Sequence, residues 1–307
     1  MNILVTGATG FIGSNIAKYL VKNNHYVIAT YRSSSSFRKC ERTKDNILWV
    51  NTENANWKEL IIKIRPVVLI HSAWGGIEAA DRNNWEFQLR NFKLSKEYFD
   101  LAEEAGINKI IALGSQAEYG RQIHVATEES QLQPDDAYGA VKTLTANYLR
   151  AKFHNSPISW YWIRVFSLFG EYENDSWLMP SVINKLLKNE SIALTACEQK
   201  YNYLYINDFV KQLNLVIEDP ENKSGVYNIC NNKATSIKEI LYQIVELMGK
   251  PKELLHVGQL PYRQNQNMFI HGSNQKFCKV FNVDLSSGLG IKEGLKHSIE
   301  FHKNQQK

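Results

Sequence analysis

Short apolar runs alternate with longer amphipathic stretches through the first half of the chain. Residues 2–6 (Asn-Ile-Leu-Val-Thr) form such a run and stop at a glycine turn, the mark of a buried parallel strand feeding a helix, here expected over residues 11–22. Further strands are predicted at 26–30, 47–50, 67–70, 109–113 and 159–164, with helices at 58–64, 91–105 and 138–153 between them. Parallel neighbours require crossovers, and crossovers are right-handed, so this alternation predicts an α/β chain with a doubly wound parallel sheet and helices on both faces. Past Arg164 the rhythm loosens into a loop, a helix at 180–188 and strands near Ile192 and Tyr203. Residues 203–217 and 226–229 are expected to return to the main sheet. That makes the second lobe (166–202 and 230–307) smaller than the first (1–165, with return segments near 203–229) and interleaved with it. The polar tail past His297 is expected to fray.

At 307 residues, 44% hydrophobic and 22% charged, the chain is long enough to bury a two-lobed core. The net charge of +5 is spread along the chain with no long basic run, a pattern that argues against nucleic-acid binding and fits a small phosphate-bearing ligand. Cys40, Cys197, Cys230 and Cys278 lie far apart with no CxxC pair, so neither a metal site nor a disulfide framework is indicated and a reducing compartment fits. The first strand begins at about Asn2, which leaves no room for a signal peptide, and no apolar run approaches the ~18 residues of a membrane span. A cytoplasmic protein without membrane or nucleic-acid partners is expected.

Gly7, Gly10 and Gly13, in Gly7-Ala-Thr-Gly10-Phe11-Ile12-Gly13, supply a tight turn, a close backbone approach and a helix–strand contact, with an anion at the positive end of a helix. Elsewhere this would be an ordinary glycine turn; in the first βα turn it reads as a Rossmann-type dinucleotide loop that includes Phe11 and Ile12. An acidic residue about 20 positions further on would bond the adenosine 2'-hydroxyl. The chain instead has Thr30-Tyr31-Arg32-Ser33-Ser34. A guanidinium with hydroxyls suits a 2'-phosphate, so Arg32 and Ser33 predict NADP(H) over NAD(H), the alternative being a solvated arginine.

Tyr138 and Lys142 are four residues apart in Asp136-Ala-Tyr-Gly-Ala-Val-Lys-Thr and share a helix face, where an ammonium favours the ionised phenol and makes tyrosine a usable proton donor. That spacing alone is common on solvated faces. It gains meaning from the glycine fingerprint and from Ser115, which follows strand 109–113 at the carboxyl end where ligands bind. Ser115 and Tyr138 would both donate to a substrate carbonyl oxygen as hydride reaches its carbon, and Lys142 would tune the phenol and hold the nicotinamide ribose. Trp160, Tyr161, Trp162 and His71 read as packing residues. Glu118 is either a third catalytic or sugar-contacting group or a solvated loop carboxylate.

These landmarks resemble, in order, those of the extended short-chain dehydrogenase/reductases, the NAD(P)-dependent nucleotide-sugar epimerases, dehydratases and reductases. The matching residues are the glycine fingerprint, His71-Ser-Ala73, Asn91, Ser115 with Tyr119-Gly120, Tyr138 with Lys142, Arg164-Val-Phe-Ser-Leu-Phe-Gly170, Leu204-Tyr-Ile-Asn-Asp208 and Tyr227-Asn-Ile. The resemblance implies that Ala73 and Phe166 line the cofactor and that Asn91 supports the active-site strand beside it. It implies that Arg263 in Pro-Tyr-Arg binds the sugar-nucleotide pyrophosphate, that Trp177 and Met179 either approach the substrate nucleotide or simply pack, and that a homodimer forms through helices 91–105 and 138–153. Ser167 stands where the family has asparagine, and Tyr201, beside Lys200, where it has arginine, so substrate contacts depart from the family's. Gln116 and Ala117 replace the acid and base of the sugar 4,6-dehydratases, which leaves elimination without its proton carriers. The loop Gly-Ser-Gln-Ala-Glu-Tyr-Gly is most similar to reductases of nucleotide-linked 4-keto-6-deoxy sugars. NADPH-dependent reduction of a nucleotide-linked 4-keto sugar is therefore expected. A nucleotide-sugar 4-epimerase that keeps its cofactor is the alternative, and a non-catalytic NADP(H) sensor is a third reading, because fold alone does not fix function.

Overall fold

The computed structural model of the protein describes residues 1–221, 223–264, 266–285 and 290–306. In chain order the elements are β1 (Asn2–Thr6), α1 (Phe11–Lys22), β2 (Tyr26–Tyr31), β3 (Ile47–Asn51), α2 (Trp57–Ile64), β4 (Val68–His71), α3 (Trp85–Glu104), β5 (Lys109–Ser115), α4 (Ala137–Phe153) and β6 (Ser159–Val165). They continue with β7 (Leu168–Phe169), α5 (Leu178–Leu187), β8 (Ile192–Ala193), β9 (Lys200–Tyr201), β10 (Leu204–Tyr205), α6 (Ile206–Glu218), β11 (Gly225–Ile229), β12 (Thr235–Ser236) and α7 (Ile237–Met248). The last are β13 (Leu255–His256), β14 (Phe269–Ile270), α8 (Gln275–Phe281) and α9 (Ile291–Gln305).

Seven strands form one parallel sheet in the order β11-β6-β5-β4-β1-β2-β3, the predicted doubly wound Rossmann-type arrangement. Successive strand residues point to opposite faces. Ile3, Val5, Ile70, Ile111, Tyr161 and Ile163 pack on one side with α1, α5, α6 and α7 residues such as Leu20, Val182, Leu213 and Ile244. On the other side Leu4, Leu69, Ile110, Trp160 and Trp162 pack with Phe99 of α3 and Leu149 of α4. The aromatic run in β6 is thus core on both faces, as its alternation predicts.

Three expectations shift. Helix α3 starts at Trp85, ahead of the predicted 91, because the Asn84 side chain accepts the Phe87 N–H at 3.0 Å and caps the helix there. Only β11 rejoins the main sheet. Residues 204–205 pair with β7 in a separate two-stranded sheet, and 206–218 are helical. The tail is the third correction: α9 runs to Gln305, with Leu295, Ser298, Ile299 and His302 buried along one stripe. Among the described residues, no helix is long and apolar enough to cross a membrane, and no cluster of His, Cys, Asp or Glu could hold a metal ion. All four cysteines are free.

Candidate active site

The strand order reverses between β1 and β4, and the glycine loop sits there. Gly7 has φ +68°, and a Cβ on it would lie 2.7 Å from the Ala73 nitrogen; one on Gly13 would lie 2.2 Å from the Gly7 oxygen. Both positions therefore exclude any larger residue. The Gly10 N–H closes the turn onto the Gly7 oxygen at 2.9 Å, and the Ala73 N–H donates to Thr6 Oγ1 at 3.1 Å, which brings Ala73 against the fingerprint. Helix α1 starts at Gly10 with no side-chain cap, so its first N–H groups are left for an anion. Bare glycine backbone and an uncapped helix end fit a dinucleotide pyrophosphate. Phe11, in the first turn, meets the Trp177 ring edge-on at 6.4 Å, and Ile12 packs on the core.

At the far end of β2, Arg32 is exposed and its backbone N–H is bonded to Ser35 Oγ at 3.1 Å. Ser33 is engaged: its backbone N–H donates to Glu53 Oε2 at 3.3 Å, and its hydroxyl donates to the same oxygen. Glu53 is an acidic neighbour that lies just past β3 instead of in β2, which is why reading along the second strand misses it.

His71 is a satisfied core histidine. Its ring nitrogens lie 2.9 Å from Thr6 Oγ1 and 2.9 Å from Ser95 Oγ, and burial, helped by the charge of Lys142, pushes its pKa down to about 3. Asn91 is buried one turn before Ser95. Its side chain accepts the Gly75 N–H and donates to the Gly75 oxygen, both at 3.0 Å, so it staples the loop after β4.

Ser115 ends β5 and caps a 3-10 turn, accepting the Ala117 N–H at 3.1 Å. Gly139 lets α4 press onto this turn, since a Cβ there would be 2.4 Å from the Ala117 oxygen. The close approach puts Tyr138 within hydrogen-bonding reach of the Ser115 hydroxyl. The Tyr138 ring also packs edge-on to Trp74 at 6.1 Å and lies under the Arg82 guanidinium, whose carbon is 4.4 Å from the ring centroid. Burial raises the pKa of the phenol, and Ser115 and then Arg82 pull it back down. Lys142 shares the face, as the spacing predicts, but its ammonium is 5.8 Å from the Tyr138 centroid, donates to the Leu113 oxygen at 2.6 Å and lies 3.6 Å from the Trp74 centroid. Burial, partly offset by Glu118, drops the Lys142 pKa to about 7. The cation held directly on the phenol is therefore Arg82, which carries no periodic signal in its polar loop.

Glu118 is neither of its two expected roles. It is fully buried: Oε1 accepts the Ser115 N–H at 2.8 Å and Trp162 Nε1–H at 2.9 Å, and Oε2 accepts Arg164 Nε–H at 2.8 Å. Arg164 continues to the Tyr119 hydroxyl (2.9 Å), which donates to Asn228 Oδ1 (2.8 Å). This chain of bonds fixes the turn that bears Ser115 and gives several of the family landmarks a structural cause. Gly114 belongs to it, since a Cβ would lie 2.2 Å from Trp162 Nε1.

Phe166 joins a buried cluster with Tyr119, Ala126, Cys230 and Ile270 and presses on Gly272. Met179 is 2% exposed inside the main core. Trp177 donates from Nε1 to Glu78 Oε1 at 3.2 Å and covers the start of α1. Ser167 is half-buried, and its backbone oxygen accepts the Leu204 N–H at 2.9 Å. Arg263 is exposed on a loop that Tyr201 ties down: the Tyr201 hydroxyl donates to the Asn267 oxygen at 2.6 Å and accepts Gln266 Nε2–H at 2.9 Å. Tyr201 thus uses the position of the family's arginine to hold the loop that bears Arg263.

Fold and site together define a dinucleotide-binding chain with a Ser-Tyr-Lys centre at the carboxyl edge of its sheet. The chain belongs to the NAD dependent epimerase/dehydratase family, whose profile matches residues 3–230. A curated relative is dTDP-6-deoxy-L-talose 4-dehydrogenase (NAD(+)) of Aggregatibacter actinomycetemcomitans, 26% identical over 290 residues, covering 89% of this chain and 100% of the relative. Among solved structures, UDP-glucose 4-epimerase of Thermotoga maritima with UDP-glucose superposes with TM-score 0.84 at 23% identity, covering 100% of both chains. A tyrosine-to-phenylalanine mutant of UDP-glucuronic acid 4-epimerase from Bacillus cereus, in complex with a fluorinated UDP-glucuronic acid and NAD, superposes with TM-score 0.86 at 18% identity, covering 99% of this chain and 100% of that one. At these identities the structural matches speak for the fold.

Proposed function

We propose that the protein is a nicotinamide-dependent oxidoreductase that interconverts the 4-keto and 4-hydroxy forms of a nucleotide-linked 6-deoxy sugar, with Tyr138 as the proton-transferring group. One observation carries this reading. Ser115 stands close enough to Tyr138 to pull the pKa of its phenol down, while Glu118, the loop's own carboxylate, is locked in place by Arg164 and Trp162. The positions of a dehydratase's acid and base are Gln116 and Ala117. That leaves hydroxyl chemistry on a single oxygen. When bound, the reduced nicotinamide supplies the hydride. Ser115 and Tyr138 donate to the carbonyl oxygen as charge grows on it, and Tyr138 passes its proton to that oxygen, completing the alcohol. Lys142 would hold a ribose hydroxyl once the cofactor enters. The dehydrogenase named among the relatives acts at the same sugar carbon.

NADP(H) preference rests on Arg32 alone, because Glu53 takes both Ser33 donors. Arg32→Ala is expected to lower the NADPH-to-NADH affinity ratio by about tenfold, the effect of roughly 1.4 kcal/mol, and an unchanged ratio in a binding titration removes the preference. Residues 166–202 and 230–307, with Arg263 and Trp177 at the cleft, are proposed as the substrate lobe. The exposed apolar residues Trp85 (56%) and Leu89 (40%) on α3 and Leu144 (44%) on α4 support a homodimer through these helices. Four free cysteines suit a reducing, cytoplasmic setting.

The second reading, a 4-epimerase that retains its cofactor, is favoured by the epimerase structures that share the fold. Purified protein given a 4-keto nucleotide sugar and excess NADPH or NADH is expected to consume one reduced cofactor per product. Product formation without net consumption means epimerase, and no turnover of any sugar nucleotide ends both readings.

A further inference from the structure

Arg82 lies in the loop between β4 and α3, outside every motif of the fingerprint, yet three contacts fasten it to the first turn of α4. Its backbone oxygen accepts the Tyr138 N–H at 2.9 Å. Its Nε donates to Asp136 Oδ2 at 2.7 Å, while the other Asp136 oxygen caps α4 by accepting the Gly139 N–H at 2.7 Å. Its guanidinium carbon stands 4.4 Å from the centroid of the Tyr138 ring. The Arg82 side chain is 30% exposed and that of Asp136 14%, so the pair keeps partial contact with solvent instead of lying in the core.

We propose that Arg82 is a positioning residue for the proposed reaction: anchored by Asp136, it fixes the Tyr138 ring beside Ser115 and supplies the permanent positive charge that favours the ionised phenol. The proposal rests on Tyr138 being the proton-transferring group. Every group that faces the phenol supports the assignment. Ser115 at the end of β5 pulls the phenol's pKa down, Trp74 gives an apolar wall, and Glu118 and Asp136 give negative charge that opposes ionisation. Lys142 lies further off with its ammonium committed to the Leu113 oxygen, and burial holds its charge down. A guanidinium keeps its proton at any pH the protein survives. Arg82 therefore offsets the two carboxylates whatever the state of Lys142.

The test is a direct titration of the phenol, which needs no substrate. Tyrosinate absorbance is followed with pH for the whole protein, and each variant is subtracted against the same variant carrying Tyr138→Phe. Arg82→Gln is expected to raise the Tyr138 ionisation by about one pH unit, a tenfold change in its equilibrium, and Arg82→Lys to restore most of it. Should Arg82→Gln lose its native circular dichroism, Arg82→Met, which keeps the stem over the ring, asks the same question. An unchanged titration overturns the proposal, and so does a shift that Arg82→Lys fails to reverse, since packing and not charge would then be responsible. A shifted titration in a protein that turns over no sugar nucleotide leaves the Arg82 assignment standing and removes only the substrate reading.

Discussion

Glu118 and Tyr138 lie close together and are used in opposite ways. The carboxylate is enclosed by three donors and commits its charge to Arg164; Tyr138 is only half-buried and has no carboxylate or ammonium bonded to its hydroxyl among the described residues. Glu118→Gln would leave the Arg164 guanidinium buried without its counter-charge, at a cost of roughly 3–5 kcal/mol. Urea unfolding is expected to show that loss; a variant of wild-type stability with a raised KM would instead make Glu118 a substrate contact. Tyr138→Phe is expected to keep its stability while hydride transfer slows by about 10²–10⁴-fold, the usual share of a general acid. A rate within a few-fold of wild type removes the tyrosine from the chemistry. Residue identity is enough to find Ser115, Tyr138, Lys142 and the glycines, because spacing along one turn or one helix brings them together. The partners of Glu118 and Phe166, Arg164 and Gly272, are not legible in this way, because they come from remote strands and loops, and no local pattern records them.

At the level of elements, β4 and α3 do more than frame the sheet. His71 bridges Thr6 of β1 and Ser95 of α3, and burial keeps its ring neutral with a pKa near 3 against an ordinary 6.5. Between those values the unfolded chain holds a proton that the folded one refuses, so stability is complete above about pH 6.5 and falls as the pH drops through this window. His71→Gln is expected to flatten that part of the stability–pH curve, measured as urea midpoints near neutral pH and near pH 5. An identical slope in the variant would place the acid sensitivity elsewhere. The strands are legible from short apolar runs bounded by glycine and polar turns, and most boundaries fall within a residue or two. The start of helix α3 is hidden because its first residues, Trp85 and Glu86, are exposed, and the helix begins where the Asn84 cap sets it. Helix α9 escapes an apolar pattern because two of its buried positions are Ser298 and His302, which such a pattern does not count.

Across the whole molecule, the reversal of strand order at β1 and β4 puts the glycine loop, the stapled Ala73–Gly76 segment and the ends of β5 and α4 around one crevice. The doubly wound sheet follows from the βα rhythm, and so does the side on which the site lies. The short pairings of β9 with β12 and β14 do not, because strands of two residues leave no periodicity to read. If α3 and α4 form the subunit contact, light scattering is expected to give a dimer, and Leu144→Glu a monomer that still folds; a monomeric wild type removes the contact. The account stands most directly on where the hydrogen at the sugar's C4 comes from. Incubation with a 4-keto nucleotide sugar and reduced nicotinamide cofactor deuterated at C4, followed by mass spectrometry, is expected to give a 4-hydroxy product that has gained a single deuterium. A 4-hydroxy product with no label from either face of the cofactor would contradict it.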